Sequence, residues 1–351
     1  MSDKSFSDKL SNPLPIPPHF IKEKVSQVWR VPYQDIAEQA QKWAKQHNIE
    51  PAKADEFKIA LLGVDLQNTF CNPEFELFVG GQTGMGAVED CARLCQFIYR
   101  NLGVLTRIYL TMDTHIAAQI FHPIFFIDKS GGHPHPLTLI TEADIESDRW
   151  RFNPDIAGAL DITPEYGQEH LLHYTRKLRE NNKYDLTVWP YHAMLGGIGH
   201  ALVSSVEEAV FFHTIARQIQ ADFILKGQLP ITESYSAIGP EVLESVNGEK
   251  FASKDETIIN LVEDFDMVIV AGEAKSHCVA WTIEDLLEEI RARHTGLANK
   301  VYLLEDCTSP VVVPDVVDYS DEADSAFQRF SEAGMHLVQS MDLIIDWLDG
   351  E

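Results

Sequence analysis

A three-layer α/β/α sandwich around a mostly parallel sheet of about six strands is the fold class this sequence predicts, on three observations. Short apolar runs rich in Val, Ile and Leu recur along the chain, each of strand length and bounded by polar or turn residues. Between them lie longer stretches whose apolar residues repeat with the helical period, leaving one face to be buried. Strand and helix alternate, and parallel neighbours need a crossover of about that length, so the strands belong to one sheet covered on both faces.

Residues 1–56 open with a proline-rich lead, then a helical pattern over Tyr33 to Gln46 that stops before Pro51. Trp29, Tyr33, Ile36 and Trp43 are costly to leave in water, so this N-terminal extension reads as a helical arm packed on the core or on a second subunit. The catalytic-sized domain then runs over 57–351. Its first strand is KIALLGVD, Lys58 to Asp65, and a helix follows from about Gly86 to Arg100. The second strand, LTRIYLTMD, ends at Asp113. A helix over Val206 to Gln220 leads to the third strand, which ends at Lys226, and a helix near Glu256 to Asp264 leads to the fourth, MVIVAG. Another helix starts near Cys278, the fifth strand is Lys300 to Asp306, and a helix over Glu322 to Ala333, a short strand His336 to Val338 and a C-terminal helix complete the set. The section 127–187, crowded with prolines, glycines and charges, breaks this rhythm and is too long for an ordinary connection. It reads as an insertion with no clear strand–helix unit, placed to cover a site.

Composition narrows the function. The 351 residues suit two domains or one α/β core with additions, and 45% hydrophobic content is ample for a large core. With 28 Lys and Arg against 54 Asp and Glu, the net charge of −26 repels nucleic acid and anionic membranes. Five scattered cysteines form neither a disulfide framework nor a zinc-ribbon spacing, which suits the reducing cytoplasm. No segment has the apolar length of a membrane span or the h-region of a signal peptide, so no membrane association is expected.

The chemistry collects at one edge. In a doubly wound parallel sheet, ligands bind at the carboxyl ends of the strands. Asp65 ends the first strand, Asp113 and His115 follow the second, Lys226 ends the third, and Cys278 follows the fourth at a helix start. Each has a plain reading by itself: Asp65 and Asp113 as caps, Lys226 as a solvated charge, Cys278 as a small buried hydrophobe. Together they are the parts of an amide-cleaving cysteine site, a base, a cation and a nucleophile. A thiol at a helix N-terminus beside an ammonium is expected to ionise below the usual cysteine value of about 8.5.

These motifs carry a resemblance. DLQNTFC with ELFVGG, MDTH, WPYH, LKG, SYSA, GEAKSHCV and VYLLEDCTS resemble, in order, the motifs of the isochorismatase-like cysteine hydrolases, and among them the nicotinamidases. The likeness covers about Phe57 to Ser340 apart from the insertion. It implies an amidohydrolase that cleaves the carboxamide of nicotinamide or a related small aromatic amide to acid and ammonia, in the setting of NAD salvage. The implied triad is Asp65, Lys226 and Cys278, with Asp65 moving the proton and Cys278 forming a thioester. The backbone N–H groups of Ala274 and Cys278 are the implied oxyanion hole, with a cis peptide between Glu273 and Ala274.

The resemblance further implies a divalent metal ion held by Asp113, His115, His122 and His192, zinc first and iron or manganese as alternatives. His122 lies one residue further from His115 than in the relatives, and His133 or His135 would be the substitutes. Phe70, Trp189 and Tyr235 match positions that sandwich the substrate ring. Ala193 stands where the family has a second cysteine, and the arm and the insertion have no place in a compact nicotinamidase. Two other readings are a metal-independent relative acting on another amide or ureido group, and a non-catalytic interaction protein on this scaffold. A homo-oligomer is the expected assembly.

Overall fold

The structure is a computed structural model that describes residue 7 and residues 9–348. Its centre is a six-stranded sheet: β1 (Ile59–Val64), β2 (Leu105–Asp113), β3 (Asp222–Lys226), β4 (Met267–Gly272), β5 (Val301–Leu304) and β6 (His336–Val338). The spatial order is β6-β5-β4-β1-β2-β3, and every neighbouring pair is parallel. β1 and β4 are apolar throughout because they lie mid-sheet, buried on both faces along their whole length. Ile59 and Leu61 point into one core, Ala60, Leu62 and Val64 into the other, the period of two made visible.

Helices cover both faces. On one lie α1 (Tyr33–Gln46), α2 (Gly86–Arg100), α4 (Ser204–Arg217) and α8 (Ile344–Leu348); α3 (Pro164–Glu180) belongs to the insertion. On the other lie α5 (Thr257–Asp264), α6 (Ala280–Arg293) and α7 (Ser320–Glu332). In α6, Ile283, Leu286, Leu287 and Ile290 recur at helical spacing and are all buried. At roughly 1.5–3 kcal/mol per fully buried large apolar side chain, such a stripe is what docks a helix to the sheet.

The N-terminal segment packs on this chain's own core. Ile36 and Ala40 of α1 are buried against the α4 face, and Ser204 Oγ both accepts from Trp29 N and donates to Trp29 O at 2.9 Å. The link from arm to sheet is clasped by charge. Arg217, wholly buried, pairs with Asp55 and donates to Leu105 O and Glu50 O, while Thr106 Oγ1 donates to Asp55 at 2.7 Å and accepts from Ile59 N.

The insertion, whose sequence shows no clear strand–helix unit, has regular structure of its own. It holds two antiparallel ribbons, Phe126–Ile127 with Arg151–Phe152 and Leu139–Ile140 with Leu186–Thr187. A capped short helix, Glu142–Glu146, and the 17-residue α3 accompany them. Phe125, Phe126, Ile140, Phe152, Leu171, Tyr174 and Leu178 form its separate core, which reaches Trp189. Both helices carry local signals: Thr141 with Asp144 makes a capping box, and Thr163 caps α3 with Pro164 at its first turn.

Candidate active site

Chain order reverses between β1 and β4: β1, β2 and β3 step outward to one side, and β4, β5 and β6 to the other. Ligands in such sheets bind in the crevice at this switch point, beyond the carboxyl ends. Register sets what stands there. Val64 pairs with Gly272 and Asp113 with Lys226, so Asp65 and the turn after β4 emerge side by side, with Asp113 and Lys226 adjacent. Gly272 has φ +119, and a Cβ on it would lie 2.1 Å from Val64 O, so only glycine lets the two strand ends come this close.

Lys226 is the hub. Its ammonium lies 3.0 Å from Asp65 Oδ2 and 3.0 Å from Asp113 Oδ1, donates to Ser234 O at 2.9 Å, and reaches Cys278 Sγ at 3.5 Å. It is buried, which removes the solvated-charge reading. Asp65 is wholly buried, and Thr111 Oγ1 donates to its Oδ1 at 2.6 Å and accepts from its backbone N. Burial pushes the Asp65 carboxyl up, with Lys226 opposing. Burial would likewise raise Asp113, but His115 and Lys226 beside it hold it well below the carboxylate range.

Cys278 departs from expectation in two ways. It sits in a wide turn, Lys275–Val279, just ahead of α6, where Ala274 O accepts from both His277 N and Val279 N, the second an i→i−5 bond. Its thiol is also pushed well above the ordinary value, by burial first and then by Asp65 and Asp113 against the single ammonium. At an effective dielectric of about 20, a thiolate gains roughly 5 kcal/mol from a cation at this range, and one equally close carboxylate cancels that. The second carboxylate and burial then decide for the thiol. The resting proton therefore lies on sulfur, and the Asp65 carboxyl shares the same Lys226 ammonium.

The peptide between Glu273 and Ala274 is cis. A buried cluster holds this turn: Ser309 N donates to Glu273 Oε2 at 3.2 Å, Ser309 Oγ donates to Asp90 Oδ2 at 2.5 Å, and Arg93 donates to Asp90 at 2.6 Å. Burial raises both carboxyls, each further raised or held by its neighbours in this cluster. Lys275 N donates to Ser309 O, so Ser309 grips the turn from both sides.

Asp113, His115 and His192 bring one ligand atom each within 4.8 Å of one another, all three buried. His115 Nδ1 lies 3.2 Å from Gly227 O and His192 Nδ1 lies 2.7 Å from Pro190 O, which leaves both Nε2 atoms facing Asp113 Oδ2, at 2.8 and 3.7 Å. A neutral imidazole donates from one nitrogen only. With His115 Nδ1–H given to Gly227, its Nε2 lone pair faces a carboxylate oxygen, an opposition that a cation or a second imidazole proton relieves. Gly227, at φ +81, is the other glycine the site requires, since a Cβ would meet His115 Cε1 at 2.7 Å and Asp113 Oδ1 at 2.8 Å. His122 stands beside this trio. Its ring centroid is 6.1 Å from that of His115, its Nδ1 contacts Ala117 O, and its buried Nε2 has no partner among the described residues. Burial, with His192 and His115 nearby, pushes it down to about 3, so it is a neutral imidazole with a free lone pair. His133 is bound instead to Phe126 O at 2.6 Å, and neither it nor His135 joins the trio. This N/O donor set, with backbone carbonyls orienting the imidazoles, fits zinc, iron or manganese.

These groups open on one cavity of about 70 Å³, walled by Phe70, Trp189, Tyr235, Phe121 and His277, with Ala274 and Cys278 in its lining. Its size admits a small molecule. Among the described residues no helix is long and apolar enough to cross a membrane. All five cysteines are free and buried; Cys278 lines the cavity, whereas Cys71, beside Phe70, packs in the core and is not in the lining. Four supporting residues escaped the sequence reading. Thr111 and Ser309 are described above; Gln67 exchanges two hydrogen bonds with the Asp113 backbone, and Glu233 lines the cavity with its carboxyl pushed up to about 8 by burial beside Glu241. Gln67 lies inside the DLQN motif, where its spacing from Asp65 was the available signal.

No protein-family model matches the chain, and no curated protein matches it. Among solved structures it is similar to an Acinetobacter baumanii nicotinamidase/pyrazinamidase (20% identity, 82% of this chain and 98% of that one, TM-score 0.48). Others are a yeast nicotinamidase bound to the inhibitor nicotinaldehyde (17%, 80% and 99%, TM-score 0.49) and a Pyrococcus horikoshii pyrazinamidase in complex with zinc (18%, 80% and 99%, TM-score 0.41).

Proposed function

We propose that this chain is a cysteine amidohydrolase acting on the carboxamide of nicotinamide or a related small aromatic amide. The observation that carries the reading is the ammonium of Lys226, 3.0 Å from Asp65 and 3.5 Å from the sulfur of Cys278, which itself lines a small aromatic cavity. Asp65 takes the thiol proton as sulfur attacks the carboxamide carbon, and burial, which raises its pKa, makes it a better base than a solvated carboxylate. Lys226 keeps the transient thiolate and the two carboxylates balanced. The oxyanion forms toward the backbone N–H groups of Ala274 and Cys278. Asp65 then passes its proton to the departing nitrogen, ammonia leaves, and a thioester remains on Cys278. Water that gives its proton to Asp65 attacks the thioester, which releases the acid and restores the thiol.

Asp113, His115 and His192 would hold a divalent ion, with His122 as the adjoining donor. When bound, the ion supplies a Lewis-acid anchor for a heteroaromatic ring nitrogen. Phe70, Trp189 and Tyr235 would flank the ring. The test is ammonia release over nicotinamide, pyrazinamide and ureido compounds, with and without chelator. Wild-type protein should release ammonia from a heteroaromatic carboxamide, and Cys278→Ala should lower kcat at least about a thousandfold. Undiminished release by that variant, or silence of the wild type across the panel, would overturn the reading.

A further inference from the structure

Four polar side chains, three of them buried and Tyr235 partly so, link the insertion to the cavity wall in one unbroken line. In α3, Tyr174 Oη donates to Glu233 Oε2 at 3.0 Å and accepts from Glu233 N at 2.9 Å. Tyr235 Oη lies 3.0 Å from Glu233 Oε1 and accepts from Trp189 Nε1 at 2.9 Å. Trp189 and Tyr235 are wall residues, and Tyr174 is wholly buried in the insertion's core, away from the cavity.

Glu233 is the unexpected member. A carboxyl with 3% exposure is costly to bury, and apolar residues surround this wall. Among the described residues no ion pair includes Glu233, and the nearby Lys183 is engaged by Glu241 at 3.0 Å. What satisfies Glu233 is one phenol on each oxygen. No smaller or apolar side chain reaches both rings with acceptors, so the residue type is explained by the need to join them.

We propose that Tyr174 and Glu233 are positioning residues that fix the spacing of the Trp189–Tyr235 wall, making the insertion part of the substrate-selecting machinery. This rests on the reading of the cavity as an aromatic-amide site. Neither residue touches the reacting atoms. The Glu233 carboxyl sets where the Tyr235 oxygen stands, that oxygen holds the Trp189 indole N–H, and the indole plane sets the room left for a flat ring. The ligand class selected is a single planar heteroaromatic ring, and slack in the wall weakens its binding more than its turnover.

The experiment has two arms. The first needs no substrate: the indole N–H of Trp189 is followed by nuclear magnetic resonance in protein labelled at tryptophan, with Trp189→Phe to assign the signal. Tyr174→Phe and Glu233→Met should shift that signal and speed its hydrogen exchange. Glu233→Gln, which keeps a hydrogen bond to each phenol, should leave it near the wild-type position. The second arm measures kinetics on whichever amide the wild type hydrolyses. Glu233→Met should raise KM about tenfold and Tyr174→Phe about threefold, with kcat within about twofold and Glu233→Gln restoring KM. An unmoved Trp189 signal in both disruptive variants would overturn the proposal, whatever the substrate is. So would a loss of kcat at constant KM, or Glu233→Gln behaving as Glu233→Met does. A wild type inactive on every amide tells against the proposed function alone, because the resonance arm still decides this one.

Discussion

Gly227 does more than end a strand. Its carbonyl orients the His115 ring while its missing side chain leaves the space that His115 and Asp113 occupy, with close approaches of 2.7 and 2.8 Å to a would-be Cβ. A methyl group there must displace His115 or Asp113 or twist a backbone held at φ +81. Metal content measured by elemental analysis should be near one equivalent in the wild type and fall at least about tenfold in Gly227→Ala and His115→Ala. Stoichiometric metal in both variants would remove these residues from the ligand assignment. At this scale the sequence was a good guide to which residues meet and a poor one to their charge. Asp65, Asp113, Lys226 and Cys278 were legible because each stands where an apolar run stops. The protonation of Cys278 was not, because it depends on how many carboxylates share one ammonium, a count that exists only after folding.

Among the elements, the strands were read almost to the residue: β2, β4 and β6 begin and end where the apolar pattern does, as does α1. A strand buried on both faces has no choice but to be apolar, and that makes it conspicuous. α3 was missed although Leu171, Tyr174 and Leu178 follow a helical spacing, because charged residues surround them and the helix buries only a narrow stripe. Tyr174, Glu233 and Trp189 were invisible as a set, since their pairing spans elements with no shared period. The segment joining arm to sheet illustrates a different kind of element, one defined by charge. Asp55 accepts from Thr106 and pairs with the buried Arg217, so Asp55→Ala leaves a guanidinium without its partner in the interior. That should lower unfolding free energy by about 3 kcal/mol in urea titrations, with kcat/KM changed less than about twofold. A loss under about 0.5 kcal/mol would show the clasp to be incidental.

For the whole molecule, a net charge of −26 favours solubility, and stability against acid depends on which groups are buried neutral. His213 is one, placed on α4 with Nε2 at 2.9 Å from Leu105 O and its pKa pushed down to about 4 by burial. Unfolded histidine titrates near 6.5. Between these values the unfolded chain binds the extra proton and the folded one does not, so this contribution is complete above pH 6.5 and is lost as pH falls toward 4. The loss amounts to roughly 3 kcal/mol. His213→Gln keeps a donor for Leu105 O without the proton linkage. The fall in urea midpoint between pH 7 and pH 4.5 should be smaller in that variant, and equal falls would exclude His213 as the cause. The fold class itself was legible from alternation alone, whereas the placement of the arm and the insertion depended on contacts no local pattern encodes.

The pairing of β1 with β4 also orders events in time. Lys58 N donates to Asp266 across 208 positions of chain, at the amino-terminal end of the strand pair whose other end carries Asp65 and the turn before Cys278. A chain growing from its N-terminus makes the arm, β1, β2, β3 and the whole insertion before it makes β4. Until then β1 lacks a neighbour on one side, and its apolar edge is open to wrong partners. Such distant parallel pairing is slow to form because loop closure precedes any gain from contact. Cys278 thus arrives last of the three, with about three-quarters of the chain already made, and a chain cut short before Met267 carries Asp65 and Lys226 without the thiol they face.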